Sequence, residues 1–194
     1  MKKIILASKS PRRQELIKEL GLTYEIIPSL YDENLKGKKF TYELIEEVSK
    51  NKALDVANRL NEEAIVIGAD TVVVLEQEIL LKPEDEQDAI KELKKLSGKT
   101  HKVVTAITVV DVKSKQIVTN STTSEVTFHQ LTDEQIINYV KTKKPLDKAG
   151  AYGIQELDNK FIKNLNGSKN NVIGLSPTSL RNALIKLDKT LSLY

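Results

Sequence analysis

Ile4-Ile5-Leu6-Ala7-Ser8-Lys9-Ser10-Pro11-Arg12-Arg13, continuing into the helical pattern Gln14 to Leu20, reads as a buried strand handing over to a helix. Pro11 suits the first helical turn, because its missing N–H would have no intrahelical partner there. Two hydroxyls and two guanidinium groups gather beside unpaired backbone N–H groups and the positive end of the helix dipole. That setting favours an anion. Adjacent side chains leave a helix about 100° apart, so Arg12 and Arg13 can grip one polyphosphate from two sides through bidentate forks. The same residues also suit a well-capped helix with ordinary surface arginines.

Working outward, strand-like runs are Lys3 to Ala7, Thr23 to Ile27, Ala64 to Leu75, Lys102 to Asp111, Gln116 to Phe128 and Lys160 to Lys163, with a short one at Ile79-Leu80-Leu81. Helical patterns cover Pro11 to Leu20, Thr41 to Leu60, Glu84 to Leu96, Thr132 to Lys141 and Pro177 to Leu187. Thr132-Asp133-Glu134-Gln135 has capping-box spacing, and Gly21 and Gly98 stand where helices stop. Two long β-branched runs flank the turn-like Val112-Lys113-Ser114-Lys115, which predicts an antiparallel hairpin and so a mixed sheet. Strands and helices interleave throughout, giving an α/β (or mixed α+β) fold with helices flanking a long sheet.

The chain has 194 residues, 40% hydrophobic and 29% charged, as an ordinary globular domain does. A net charge of +3, dispersed along the chain, and 5% aromatic residues argue against a nucleic-acid partner. Cysteine is absent, which removes disulfides, thiolate metal sites and cysteine nucleophiles. No run approaches the ~18 apolar residues of a membrane span, and Ile4 to Ala7 is too short for a signal peptide, so a cytoplasmic location is expected.

Gly68-Ala69-Asp70-Thr71 lies inside the strand that starts Ile65-Val66-Ile67 and resumes Val72-Val73-Val74. An aspartate there is expensive if buried and unpaired, so a metal ion, a lysine or an opening to solvent must compensate. The alternative is a strand end or bulge at which Asp70 faces water. Gly68 and Ala69 keep the neighbourhood small. Lys82, at the tip of an apolar strand, can reach a phosphate or simply snorkel to solvent. The stem of Lys52 follows the edge of the apolar face formed by Leu44 and Val48. Asp32-Glu33 is a loop-borne acidic pair that can join Asp70 around a hard divalent cation. Asp147 to Gln155, glycine-punctuated and apolar for a loop, suits close approach of backbone to a ligand, or a tight helix-to-strand corner. His101 and His129 lack spaced partners and read as structural.

In matching order, Leu6 to Arg13, Asp32-Glu33, Lys52-Ala53, Gly68 to Thr71, Lys82-Pro83, Ser97-Gly98 with His101 and Thr105, Asp147 to Gln155 and Gly174-Leu175 closely resemble the Maf family of nucleoside triphosphate pyrophosphatases. The resemblance covers nearly the whole chain. It implies one domain over residues 1–194, elongated, with two lobes around a deep cleft. It also implies phosphate binding by Ser8, Arg12, Arg13, Lys52 and Lys82, catalysis by Asp70, and a divalent metal (Mg²⁺ or Mn²⁺) near Asp70 and Glu33. Arg12, Thr71 and Gln155 resemble the branch acting on dTTP and UTP, not that acting on 7-methyl-GTP. The implied reaction yields the monophosphate and pyrophosphate, a house-cleaning step on normal or modified pyrimidine nucleotides, with a homodimer as the assembly. The alternative is a non-catalytic nucleotide-binding regulator linked to septum formation, which would need the cationic cleft without the acids. The chain departs from the family pattern at Leu81, at Glu156, where the family favours Gly, and at Ser176, where Pro is expected. These departures bear on loop conformation and base selectivity.

Overall fold

The computed structural model describes residues 2–187. In chain order, Lys3–Leu6 (β1), Pro11–Lys18 (α1), Glu25–Ile26 (β2) and Tyr42–Ala57 (α2) precede the long strand Ala64–Leu75 (β3) and the short Glu78–Leu80 (β4). Then follow Glu86–Leu96 (α3), Thr100–Asp111 (β5), Ile117–Phe128 (β6), Asp133–Lys143 (α4), Ile162–Asn166 (β7), Lys169–Ile173 (α5) and Pro177–Leu187 (α6). Helix starts fall where side chains cap them. Thr132 forms the expected capping box with Gln135, and Asp85 accepts from the Asp88 N–H, so α3 begins after Asp85 and not at Glu84. The one-turn α5, capped by Ser168, was not expected from the sequence pattern, and β7 lies slightly beyond the predicted Lys160 to Lys163.

One mixed sheet runs β2-β1-β3-β5-β6-β7, with β4 paired to β3. Parallel pairing joins β1 to β2 and to β3, and the rest is antiparallel, including the predicted β5–β6 hairpin. β3 is nearly buried from end to end, as a central strand covered on both faces must be.

Two features of β3 create the site. First, β5 occupies one edge throughout, while the other edge carries β1 as far as Ile67 and β4 from Val73 onward. Among the described residues, 68–72 therefore have no strand neighbour on that edge, and the sheet forks around Asp70. Second, the two faces are covered differently. α2 crosses one face, packing Ala53 and Val56 against Val66, and Ile45 and Val48 against Val72 and Val74. The opposite face supports two separate cores. One gathers Ile65, Ile67 and Ala69 with α1 and α6; the other gathers Val73 and Leu75 with α3, α4 and Phe128. Thr71 stands between them, and the expected two lobes part there.

Candidate active site

A cleft of about 450 Å³ opens at this fork, within the size range of small-molecule sites. Ser8, Arg12, Glu33, Lys52, Asp70 and Lys82 all line it. Their convergence follows from topology: β1 ends at the fork from one side and delivers Ser8 and α1, while β4 ends at it from the other and delivers Lys82.

Asp70 is 4% exposed. Lysine is the compensation it finds: Lys52 Nζ donates to Asp70 Oδ1 at 2.7 Å and pairs with Glu33 Oε1 at 2.6 Å. This geometry depends on Gly68. A Cβ there would strike Ser49 O on α2 and stand 2.7 Å from Ala53 N, so only glycine lets α2 ride low enough for Lys52 to reach the strand. Burial by itself pushes the Asp70 carboxyl up, but Lys52 and Arg13 together hold it below the usual carboxylate range. Asp70 therefore stays ionised. Its Oδ2 is buried and has no hydrogen-bond partner among the described residues, a costly state for a carboxylate oxygen.

The two arginines have different fates. Arg13 spends its fork on the protein: Nε donates to Gly174 O at 2.9 Å, Nη1 to Ser8 Oγ at 3.3 Å and Nη2 to Thr71 Oγ1 at 3.1 Å. Thr71 Oγ1 also lies 2.9 Å from Thr105 Oγ1 and 3.3 Å from Gly174 O, so this polar knot ties the waist between the lobes. Arg13 lines the cleft together with Arg12, its guanidinium anchored on the protein by these three bonds. Arg12 Nη1 donates to Asp147 Oδ2 at 2.8 Å, bridging α1 and the segment after α4 across the cleft.

Asp147 to Gln155 proves to be neither a plain loop nor a simple corner: two short 3-10 turns, Pro145–Asp147 and Ala149–Ala151, pack against α3. Tyr152 is buried, its hydroxyl 2.7 Å from His101 Nε2, and burial lowers the His101 pKa to about 4, keeping the imidazole neutral. His101 is structural, as expected. Gln155 is exposed, just beyond the buried Ile154, and lines the same cleft. The sequence reading did not assign roles to Asp147, Lys148 or Tyr139. The signal for the first two was present in the Asp147-Lys148 charge pair opening an apolar loop.

Two oxygen-bearing acids on one lysine, with Asp70 Oδ2 unpartnered, are a donor set suited to a hard cation. Among the described residues no three acidic or histidine side chains are grouped to hold a metal alone. The set fits Mg²⁺-type binding, in which one or two carboxylates share the ion with substrate phosphates and water.

A buried, lysine-neutralised carboxylate faces an arginine across a fork in a mixed sheet. That arrangement defines an α/β protein in which cationic and acidic side chains share one cleft. The overall architecture matches the solved structure of a HAM1 protein from Coxiella burnetii, with a TM-score of 0.53 at 16% identity over 96% of this chain and 100% of that one. The family model for Maf-like proteins matches residues 3–187. The chain is 43% identical over 192 residues to the dTTP/UTP pyrophosphatase of Clostridium perfringens (strain 13 / Type A), covering 97% of this chain and 99% of that protein. It is 46% identical over 176 residues to the dTTP/UTP pyrophosphatase of Clostridium novyi (strain NT), covering 89% and 91%. The chain belongs to the Maf-like family.

Proposed function

We propose that this protein is a nucleoside triphosphate pyrophosphatase, hydrolysing the α–β phosphoanhydride of dTTP and UTP to release the nucleoside monophosphate and pyrophosphate. The observation that carries this reading is the pairing of Asp70, ionised and with Oδ2 free of protein partners among the described residues, with the cationic side chains that line the same cleft. The names of the Clostridium relatives support the substrate pair.

In this reading the triphosphate lies from Ser8 and Arg12 toward Lys82, and Arg12 exchanges Asp147 for phosphate oxygens. Asp70 orients a water at Oδ2 toward the α-phosphorus and accepts its proton as the new P–O bond forms and the bond to the leaving pyrophosphate breaks. Lys52 keeps Asp70 ionised and, with Arg12, Arg13 and Lys82, stabilises charge on the departing pyrophosphate. Such placed donors are worth about 3–4 kcal/mol each in a dry site. Asp70 and Glu33 would hold a divalent cation, which would supply charge neutralisation at phosphate oxygens and a more acidic water. Gln155 offers a donor and an acceptor to the 4-carbonyl and N3–H edge of uracil or thymine. Thr71 contributes by fixing Arg13 and the Gly174 carbonyl. The reading includes a homodimer, checked by light scattering. No helix among the described residues is long and apolar enough to cross a membrane.

The test is pyrophosphate release over a nucleotide panel, with and without Mg²⁺ or Mn²⁺, by the wild type and Asp70→Asn. Release from UTP and dTTP is expected, with Asp70→Asn slower by about 10²–10⁴-fold while still binding nucleotide. Tight binding without release from any triphosphate would instead favour a nucleotide-binding regulator, and wild-type turnover by Asp70→Asn would remove Asp70 from the chemistry.

A further inference from the structure

The turn that carries Gln155 is held from behind by side chains with no part in the chemistry described above. Gly153 O accepts the Glu156 N–H at 2.9 Å, closing a turn that buries Ile154 and exposes Gln155. The Glu156 carboxylate reaches two partners: Oε1 lies 3.2 Å from Lys148 Nζ, and Oε2 accepts from Tyr139 Oη at 2.9 Å. Tyr139 Oη in turn accepts the Gly153 N–H at 3.0 Å. Both ends of the turn are thus tied to one phenol oxygen, itself on a side chain only 5% exposed in the core beneath α4. Gly153 sits directly on the Lys148 stem, where a Cβ would stand 2.9 Å from Cε and 3.1 Å from Cδ. Burial pushes the Tyr139 hydroxyl up, so it remains a hydrogen-bond donor at neutral pH.

We propose that Glu156 and Tyr139 are specificity-determining positioning residues: the Lys148–Glu156–Tyr139 clamp fixes the Gly153–Glu156 turn and thereby sets discrimination between uracil and cytosine, without touching the nucleotide. The inference rests on the pyrophosphatase reading and deepens it. Its physical basis is the symmetry of an amide. Uracil presents an acceptor at position 4 and a donor at N3, whereas cytosine presents a donor and an acceptor. A glutamine amide can satisfy either edge if it is free to turn over and shift. Rejection of the wrong edge requires that the amide be held in one place, so that the mismatch leaves polar groups unpaired.

The experiment measures kcat and KM for UTP and CTP with the wild type, Glu156→Ala, Glu156→Gln and Tyr139→Phe. In Glu156→Ala and Tyr139→Phe the ratio of kcat/KM for UTP over CTP is expected to fall about tenfold, the scale of one net hydrogen bond. The change should appear in KM, with kcat for UTP kept. Glu156→Gln, which retains an acceptor for Tyr139, should recover most of the ratio. If Glu156→Ala fails to fold, Tyr139→Phe decides, since its ring keeps its place in the core. An unchanged ratio in either folded variant, or a loss confined to kcat, overturns the clamp while leaving the pyrophosphatase reading intact. A wild type that releases no pyrophosphate from UTP overturns that reading first, and the clamp with it.

Discussion

In the proposed reading, the phosphate end of the cleft rests on regular elements: Ser8 just beyond β1, Arg12 in the first turn of α1, Asp70 mid-strand in β3 and Lys52 within α2. The proposed base end rests on a turn between two 3-10 segments and β7, and the turn bearing Gln155 is braced by Tyr139, Lys148 and Glu156. Elements whose backbones are satisfied by ladders and helical bonds position charge within narrow limits, which polyphosphate chemistry needs. A turn braced by side chains can be retuned by changing one brace, which suits a region that selects among bases. The difference teaches that the two ends of the cleft are held by separate structural means, joined through Arg12–Asp147 and Asp147–Lys148.

The contrast breaks most severely at Lys52. Replacing it with methionine strands Asp70 as a buried charge, and breaking such a pair costs about 3–5 kcal/mol. In the wild type, Asp70 has a depressed folded pKa, so its contribution to stability is present above the unfolded carboxylate range and is lost as pH falls through the folded value. In Lys52→Met, burial dominates and the folded pKa rises, so the sign reverses. The gap in Tm between the two proteins should narrow as pH drops toward 4. A gap that is flat with pH would mean that Lys52 does not neutralise Asp70.

At the base end an intermediate effect comes from His101, whose folded pKa of about 4 lies below its ordinary 6.5. Its contribution is intact at neutral pH and is lost as pH falls from 6.5 toward 4, at up to about 1.4 kcal/mol per pH unit. Urea unfolding between pH 7 and pH 5 should show that slope, and His101→Gln should flatten it. Equal slopes in the two proteins would assign the loss to other groups.

The smallest effect concerns the link between the two ends. Asp147 is held down to about 2 although burial opposes this, because Lys148 and Arg12 donate to it. Its side chain is largely exposed, so the pair with Arg12 is worth less than about 1 kcal/mol. Asp147→Asn frees Arg12 for phosphate and should lower KM for UTP by about two- to fivefold. A higher KM would show that Asp147 supports binding instead of competing with it.

Much of this is legible in the sequence. The Leu6 to Arg13 corner, the β5–β6 hairpin and the capping box at Thr132 are local: neighbouring residues supply the hydrophobic period, the cap and the turn. Asp70 announced itself because a carboxylate amid Ile and Val needs compensation. That its partner is Lys52, that Arg13 is anchored on Gly174 and Thr71 while Arg12 pairs with Asp147, and that Tyr139 anchors the turn bearing Gln155 were not legible. Each depends on which face of β3 a helix crosses and where β1 and β4 leave its edge. Sequence by itself thus determined the long elements, the charged groups and the family, because periodicity, capping and desolvation cost act over short stretches of chain. Only tertiary structure decided who pairs with whom, because pairing of buried charges depends on distances between residues far apart in sequence, such as Lys52 and Asp70 or Arg12 and Asp147.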